Sequence, residues 1–176
     1  MSGHNKFSKI KHLKAKNDAE KSAHFGKLVR LISVEAKKSG GNQASPGLSA
    51  AIDKARKENM PNDTIDRAIK KAIADNSAAM ESHIYEAYGP GGVAILIEAL
   101  TDNRNKAAQD IKFILSKHGL ALAAPGSASW AFQRHGLAWT PTSVMPLDDA
   151  DIDKLSAIVA DLEGSEEVQE VFTNAE

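Results

Sequence analysis

Apolar residues recur at helical spacing through the first 75 positions. Phe25, Leu28, Val29, Ile32 and Ala36 fall at i, i+3, i+4, i+7 and i+11, which predicts an amphipathic helix over roughly 19–39. Lys27, Arg30, Lys37 and Lys38 lie off that stripe, and Gly40-Gly41 ends it. Ser45-Pro46 predicts a second helix start, an N-cap followed by proline at the first helical position. Leu48, Ala51, Ile52 and Ala55 form its buried side. A third helix is predicted from near Pro61, with Ile65, Ala68, Ile69, Ala72 and Ile73 inside and Arg67, Lys70 and Lys71 outside. Three amphipathic helices joined by short loops predict a three-helix bundle.

The period changes after a polar, small-residue stretch, 76–82, which reads as a linker. His83–Tyr88 alternates and meets the turn signal Gly89-Pro90-Gly91-Gly92. Val93–Leu100 then runs apolar except for Glu98, with the length and β-branched content of a central strand covered on both faces. Thr101-Asp102-Asn103 reads as a helix N-cap. The remaining pattern predicts a helix over 103–118, strands over 127–133 and 137–145, a helix over 149–163 and a strand over 167–173. Beyond its first strand this is β-α-β-β-α-β. The expected class is α+β: an N-terminal three-helix bundle (1–75 with its arm), then a ferredoxin-like α/β sandwich domain with an extra N-terminal strand (83–176).

Charge changes the picture. Residues 1–75 carry sixteen Lys and Arg against eight Asp and Glu, a net of +8. Residues 76–176 carry six against fifteen, a net of −9, so the overall −1 conceals two opposite halves. A polyanionic partner is expected for the first half only. Within residues 1–21, Lys6, Lys9, Lys11, Lys14, Lys16 and Lys21 interleave with Phe7, Ile10 and Leu13. That pattern predicts an arm whose apolar residues dock while its lysines line one surface; a solvated tail is the alternative. The chain has no cysteine, which excludes disulfides and thiolate chemistry and fits a reducing compartment. It has no apolar run long enough for a membrane span and no secretory h-region, so the expected location is cytoplasmic, with no membrane partner.

The segment Tyr88-Gly89-Pro90-Gly91-Gly92-Val93 through Thr101-Asp102-Asn103-Arg104-Asn105 resembles the signature of the YebC/PmpR family. The resemblance extends to Met1–Phe7, Phe25–Arg30, Ala51–Ala55, Asn59-Met60-Pro61, Ile65–Lys71, Ser116–Gly119 and Val168–Ala175, in order, over nearly the whole chain. It implies a regulator of gene expression that binds nucleic acid. The partner would be duplex DNA in transcriptional control, or ribosomal RNA on the ribosome in a translation factor that relieves stalling. Family members are usually longer, with a third domain inserted after the strand that ends near Phe132. Here only Gln133-Arg134-His135-Gly136-Leu137 fills that place, so the resemblance implies a shortened two-domain form. Phe7 stands where the family commonly has Trp, and Leu13 where it often has Arg, which weakens the expected contacts.

The expected nucleic-acid-binding residues are Lys6, Lys9, Lys11, His12, Lys14, Lys16, Lys21, Lys27, Arg30, Arg67, Lys70 and Lys71, with Arg104 as an additional contact. Lysine meets phosphate as a point charge and specifies no sequence. No catalytic set emerges. The histidines, His4, His12, His24, His83, His118 and His135, are scattered, and no metal or cofactor is expected. His118 and the acidic run Asp148, Asp149, Asp151, Asp153 read as helix-end chemistry, with a divalent-ion site as the alternative for the run. Asp102–Asn105 reads as capping or as a polar contact at a helix N-terminus. Glu98 is the best catalytic candidate, but no constellation of base, nucleophile and orienting group emerges in the sequence, so no enzyme and no small-molecule substrate are expected. Trp130 and Trp139 read as core or sheet-face packing, with a base-stacking platform as the sharper alternative. A protein-interaction adaptor without nucleic-acid contact is the competing function, and the oligomeric state is left open.

Overall fold

The structure, a computed structural model, describes residues 18–176, with side chains from Lys21 onward. The chain divides into two compact units at Glu81/Ser82.

The first unit contains α1 (Asp18–Ser39), α2 (Pro46–Lys57) and α3 (Asn62–Ala74). α1 packs against both other helices. Its buried arc is therefore wider than a single stripe: Leu31 and Val34 are buried alongside Leu28, Ile32 and Ala36, whereas Phe25 and Val29 are only half-buried. Leu48, Ala51, Ile52 and Ala55 of α2 and Ile65, Ala68, Ile69 and Ala72 of α3 close the core. Ile73 departs from expectation. It is 49% exposed, at the end of α3 with its tip against Gly41. Ser45 precedes α2 as expected, but its hydroxyl makes no capping bond.

The second unit runs β1 (Glu81–Tyr88), β2 (Ala94–Thr101), α4 (Arg104–Lys117), β3 (Phe132–His135), β4 (Ala138–Pro141), α5 (Asp149–Glu163) and β5 (Val168–Thr173). The main sheet has the order β1-β2-β5. β2 and β5 are antiparallel, with Ile95 opposite Thr173 and Ile97 opposite Val171, and the register shifts between Glu98 and Ala99. The turn from β1 to β2 is a short 3₁₀ turn, Pro90–Gly92. Gly91 sits there at φ +65°, and a Cβ on it would meet Leu147 Cδ2 at 2.5 Å.

Every residue of β2 is buried, because the strand is covered on both faces. Val93, Ile95, Ile97 and Ala99 meet Ala107, Ile111 and Leu115 of α4 and Leu155, Ile158, Val159 and Leu162 of α5. Ala94 and Leu96 meet Ala128, Ala131 and Phe132, with Ile84, Trp139 and Phe172 packed around them.

The α+β class holds, but the ferredoxin-like strand order is realised as two sheets. β3 and β4 leave the main sheet and form their own antiparallel hairpin. The expected strands over 127–133 and 137–145 shrink accordingly, and Ser129–Ala131 becomes a 3₁₀ turn. The physical reason lies at the edges. β1 and β5 occupy both sides of β2. The outer edge of β1 is met by the bridge Ala87–Leu122, and just past the end of β5 Ala175 bridges Met145. The hairpin instead covers the apolar face that the helices leave open. Gly136-Leu137 is its tight turn, with Gly136 at φ +61°.

Candidate nucleic-acid interface

Six of the expected contacts, Lys6, Lys9, Lys11, His12, Lys14 and Lys16, lie outside the described residues, as do Phe7, Ile10 and Leu13. The remaining ones divide between the two units.

On α3 the core positions fix where the cations point. Ile65, Ala68, Ile69 and Ala72 are buried, so Arg67, Lys70 and Lys71, at i, i+3 and i+4, share the opposite, exposed side. Arg67 Nε donates to the Asp63 carbonyl at 3.2 Å, which steers its guanidinium along the helix. Among the described residues, neither Lys70 nor Lys71 meets a carboxylate within ion-pair distance. Asp63 and Asp66 sit toward the start of α3, so positive charge gathers toward its C-terminal end, where the helix dipole also favours it.

α1 contributes less than its sequence suggests. Lys21 is exposed, but Lys27 and Arg30 are half-buried and already have interaction partners. Lys38 pairs with Glu35 at 2.9 Å. Lys37 Nζ donates to the Ser77 carbonyl at 3.1 Å and lies 3.4 Å from Asp75 Oδ2, tying the end of α1 to the segment after α3. Hydrogen bonds from the Ser77 hydroxyl and amide, with the Lys37 ammonium adding less, hold the Asp75 carboxyl below the usual carboxylate range. Lys37 is therefore a structural tie.

Sequence reasoning missed the last turn of α2, where Arg56 and Lys57 are exposed. Arg56 Nε donates to Asn62 Oδ1 at 3.2 Å and its guanidinium approaches Asp53 at 4.0 Å. The available signal was three basic residues, Lys54, Arg56 and Lys57, immediately before a helix end, a pattern that also serves the dipole.

Arg104 belongs to the second unit, at the first position of α4. Capping governs this junction. Asn103 Oδ1 accepts the Lys106 amide at 3.1 Å, and Thr101 Oγ1 accepts the Asn103 amide at 2.9 Å. Tyr85 donates its hydroxyl to the Arg104 carbonyl at 3.1 Å, and Lys106 is held by Glu167 at 2.9 Å. Asp148 likewise caps α5, accepting the Asp151 amide at 2.8 Å. His118 Nε2 lies 2.8 Å from Asp161 Oδ2, a link between α4 and α5. Glu98 is buried and accepts from the Ser82 hydroxyl at 2.9 Å.

Trp130 overturns the packing expectation: it is 62% exposed, whereas Trp139 is half-buried against the sheet. The loop that carries Trp130 is gripped by Glu86, a residue sequence reasoning passed over. Glu86 Oε1 accepts the Gly126 amide at 2.6 Å, and Oε2 accepts the Ala128 and Ser129 amides at 2.7 and 2.8 Å. Burial alone pushes this carboxyl up, but the bonds from Gly126, Ala128 and Ser129 outweigh it and bring its pKa below the ordinary glutamate value.

Residues 5–75 match the family model of the TACO1/YebC protein N-terminal domain, and residues 80–138 match that of the TACO1/YebC second and third domain. A protein of Fervidobacterium nodosum named "Probable transcriptional regulatory protein" is 46% identical over 172 residues, 97% of this chain and 66% of that one. A protein of the same name from Thermotoga petrophila is 43% identical over 179 residues, 100% of this chain and 71% of that one. The chain thus spans about two thirds of the length of these relatives. The crystal structure of a conserved hypothetical protein, Aq1575, from Aquifex aeolicus is similar with a TM-score of 0.78 at 28% identity, covering 92% of this chain and 93% of that one.

Proposed function

The chain belongs to the TACO1/YebC family, and on that premise we propose that it is a non-enzymatic, nucleic-acid-binding regulator of gene expression working in the cytoplasm. The observation that carries this reading is the exposed cationic side of α3, Arg67, Lys70 and Lys71, within a half of the chain that carries a net charge of +8. Phosphate is the ligand such a surface fits. The sequence adds Lys6, Lys9, Lys11, Lys14 and Lys16 to the charge of that half.

The relatives' names favour duplex DNA and transcriptional control. The chemistry of the cluster favours ribosomal RNA and assistance to translation. Arg67, Lys70 and Lys71 can bind a phosphate backbone, but no Asn or Gln stands with them on α3 to read an adenine edge, apart from Asn62 at its start, which is engaged by Arg56. A shape-and-charge reader of folded RNA needs no such set. The short β3–β4 hairpin and the greater length of the relatives support a two-domain form lacking the inserted domain.

A competition titration at two salt concentrations, with labelled duplex DNA against purified ribosomes, tests the reading. Ribosome preference, lost on Lys→Glu changes at Lys9, Lys11 and Lys14, is expected. If the chain contacts about 6–8 phosphates of a duplex, log K for duplex falls with log[salt] at a slope of about −5 to −7. Duplex preference with sequence dependence moves the assignment to transcription. Salt-insensitive behaviour with binding to neither supports an adaptor that meets only protein.

A further inference from the structure

The second unit is acidic as a whole, yet its acid is confined. Between Asp110 and Asp148 the sequence contains no Asp or Glu, while it contains Lys112, Lys117, Arg134 and two histidines. That stretch includes the entire β3–β4 hairpin and the loop leading into it. Trp130 stands at its surface.

We propose that Trp130 is a nucleobase-stacking platform that takes an unpaired base of a single-stranded nucleic acid. The proposal deepens the nucleic-acid reading above and rests on it.

The ring is held for display. Its indole N–H donates to the Tyr88 hydroxyl at 3.1 Å, and Tyr88 donates in turn to the Ser127 carbonyl. The loop from Gly126 to Ser129 is clamped by three amide bonds to buried Glu86, two residues before Tyr88 on β1. Glu86 and Tyr88 therefore point to the same side of their strand and fix one loop at two points. The polar end of the indole is satisfied inward while most of the ring is left to solvent. Trp139 shows the opposite arrangement, its ring packed against the sheet-side cluster with its N–H buried and unpartnered. The exposed ring is thus no product of general aromatic packing in this layer.

The surroundings select a base over an apolar protein surface. Trp130 is flanked in sequence by Ser129 and Ala131, and the strand it leads into presents Gln133, Arg134 and His135, all exposed. Arg134 lies over the Trp139 ring, 5.6 Å from its centroid, and its Nε donates to the Gly136 carbonyl at 3.1 Å, which holds the cation at the hairpin. An exposed indole whose polar end is satisfied, beside the partly exposed Tyr88 ring and next in the chain to a hairpin that carries Arg134 and no carboxylate, offers a face on which a single strand can stack, every base having a π-face. A protein-docking surface would instead present a contiguous apolar patch. The carboxylates on the hairpin side of the sheet do not oppose this. Glu86 is engaged by its three amides, and Glu98, buried, lies opposite Glu170 farther along β2 from Ala94 and Leu96.

The test uses the full chain and two labelled 12-residue probes, oligouridylate and an abasic oligomer of the same backbone. Fluorescence anisotropy is read for the unchanged protein, Trp130→Ala and Trp130→Phe. The unchanged protein is expected to prefer the base-bearing strand by about 5–150-fold, the worth of one stacked base. Trp130→Ala removes that preference without altering affinity for the abasic strand, and Trp130→Phe retains part of it. Equal binding of oligouridylate by the unchanged protein and Trp130→Ala overturns the platform while leaving the phosphate-binding reading intact. Loss of binding to purified ribosomes in that variant, with oligonucleotide affinity unchanged, assigns the ring to a different contact and also overturns it. Failure of both strands to bind the unchanged protein overturns the platform, while the phosphate-binding reading stands or falls on the duplex and ribosome titration above.

Discussion

The helical unit turns its positive charge outward from a conventional core, whereas the second unit exposes acid along one helix and leaves its hairpin without any. On α3 the cations stand opposite Ile65, Ala68, Ile69 and Ala72, so a single periodicity decides both burial and charge. In the second unit the exposed acids Asp149, Asp153 and Asp161 lie on α5, on one side of the sheet. The hairpin on the other side contains no acid. A net charge of −9 over residues 76–176 therefore describes no single surface of that unit. The comparison teaches that charge per domain predicts a partner only where one face dominates the exposed area.

The largest expected effect breaks the first half of this comparison. Replacing Arg67, Lys70 and Lys71 together by alanine removes about three phosphate contacts. The slope of log K against log[salt] should become shallower by about 3, and affinity for ribosomal RNA or duplex should fall by roughly 10²–10³-fold near 0.1 M salt. Unchanged salt dependence would relocate the interface away from α3. Circular dichroism should be unaffected, since all three side chains are exposed.

Glu86→Gln sharpens the second half. One buried acceptor oxygen becomes an amide that cannot accept the same bonds, at a cost of about 1–3 kcal/mol. Both tryptophans belong to the second unit, so tryptophan fluorescence in urea reads its unfolding directly. The effect carries a pH signature. The folded-state pKa is the lower one, so the unfolded chain takes up this proton first as pH falls. The stabilisation from Glu86 is present in full above the ordinary glutamate pKa and is lost as pH drops through the folded value. The unchanged protein should lose stability on that acid limb, and Glu86→Gln should show a flatter one. Parallel limbs for the two proteins would show that the grip on 126–129 does not depend on the charge.

The smallest effect concerns the α4 junction. Asn103→Ala deletes the side-chain bond to the Lys106 amide and should cost about 1 kcal/mol by the same denaturation assay, with nucleic-acid affinity unchanged. A loss of binding greater than the loss of stability would instead give this helix start a ligand role together with Arg104.

How much of this was legible follows from which forces are local. The helix stripes of α2, α4 and α5 could be read because a period of 3.6 records one buried face. Capping at Asn103 and Asp148 could be read because short polar side chains reach amides only a few residues away. The doubly covered β2 could be read because an apolar run admits little else. Leu31 and Val34 were missed because α1 is buried by two neighbours at once, which no single stripe encodes. On the interface side, Lys37 and Lys38 fall off the apolar stripe just as Lys70 and Lys71 do. Only the approach of Asp75 and Glu35 distinguishes them as ties.

By itself, then, the sequence determined the helices of the first unit, the central strand of the second, the helix caps at Asn103 and Asp148 and the opposite charges of the two halves. These depend on spacing, propensity and composition, all properties of neighbours along the chain. Only the tertiary structure decided that β3 and β4 leave the sheet, because that turned on β1 and β5 already flanking β2, with the bridges at Leu122 and Met145 beside them. It also decided that Glu86 grips a loop 40 residues away and that Trp130 faces solvent while Trp139 does not. Those outcomes depend on which distant groups compete for the same edge, amide or face, and no local pattern records that competition.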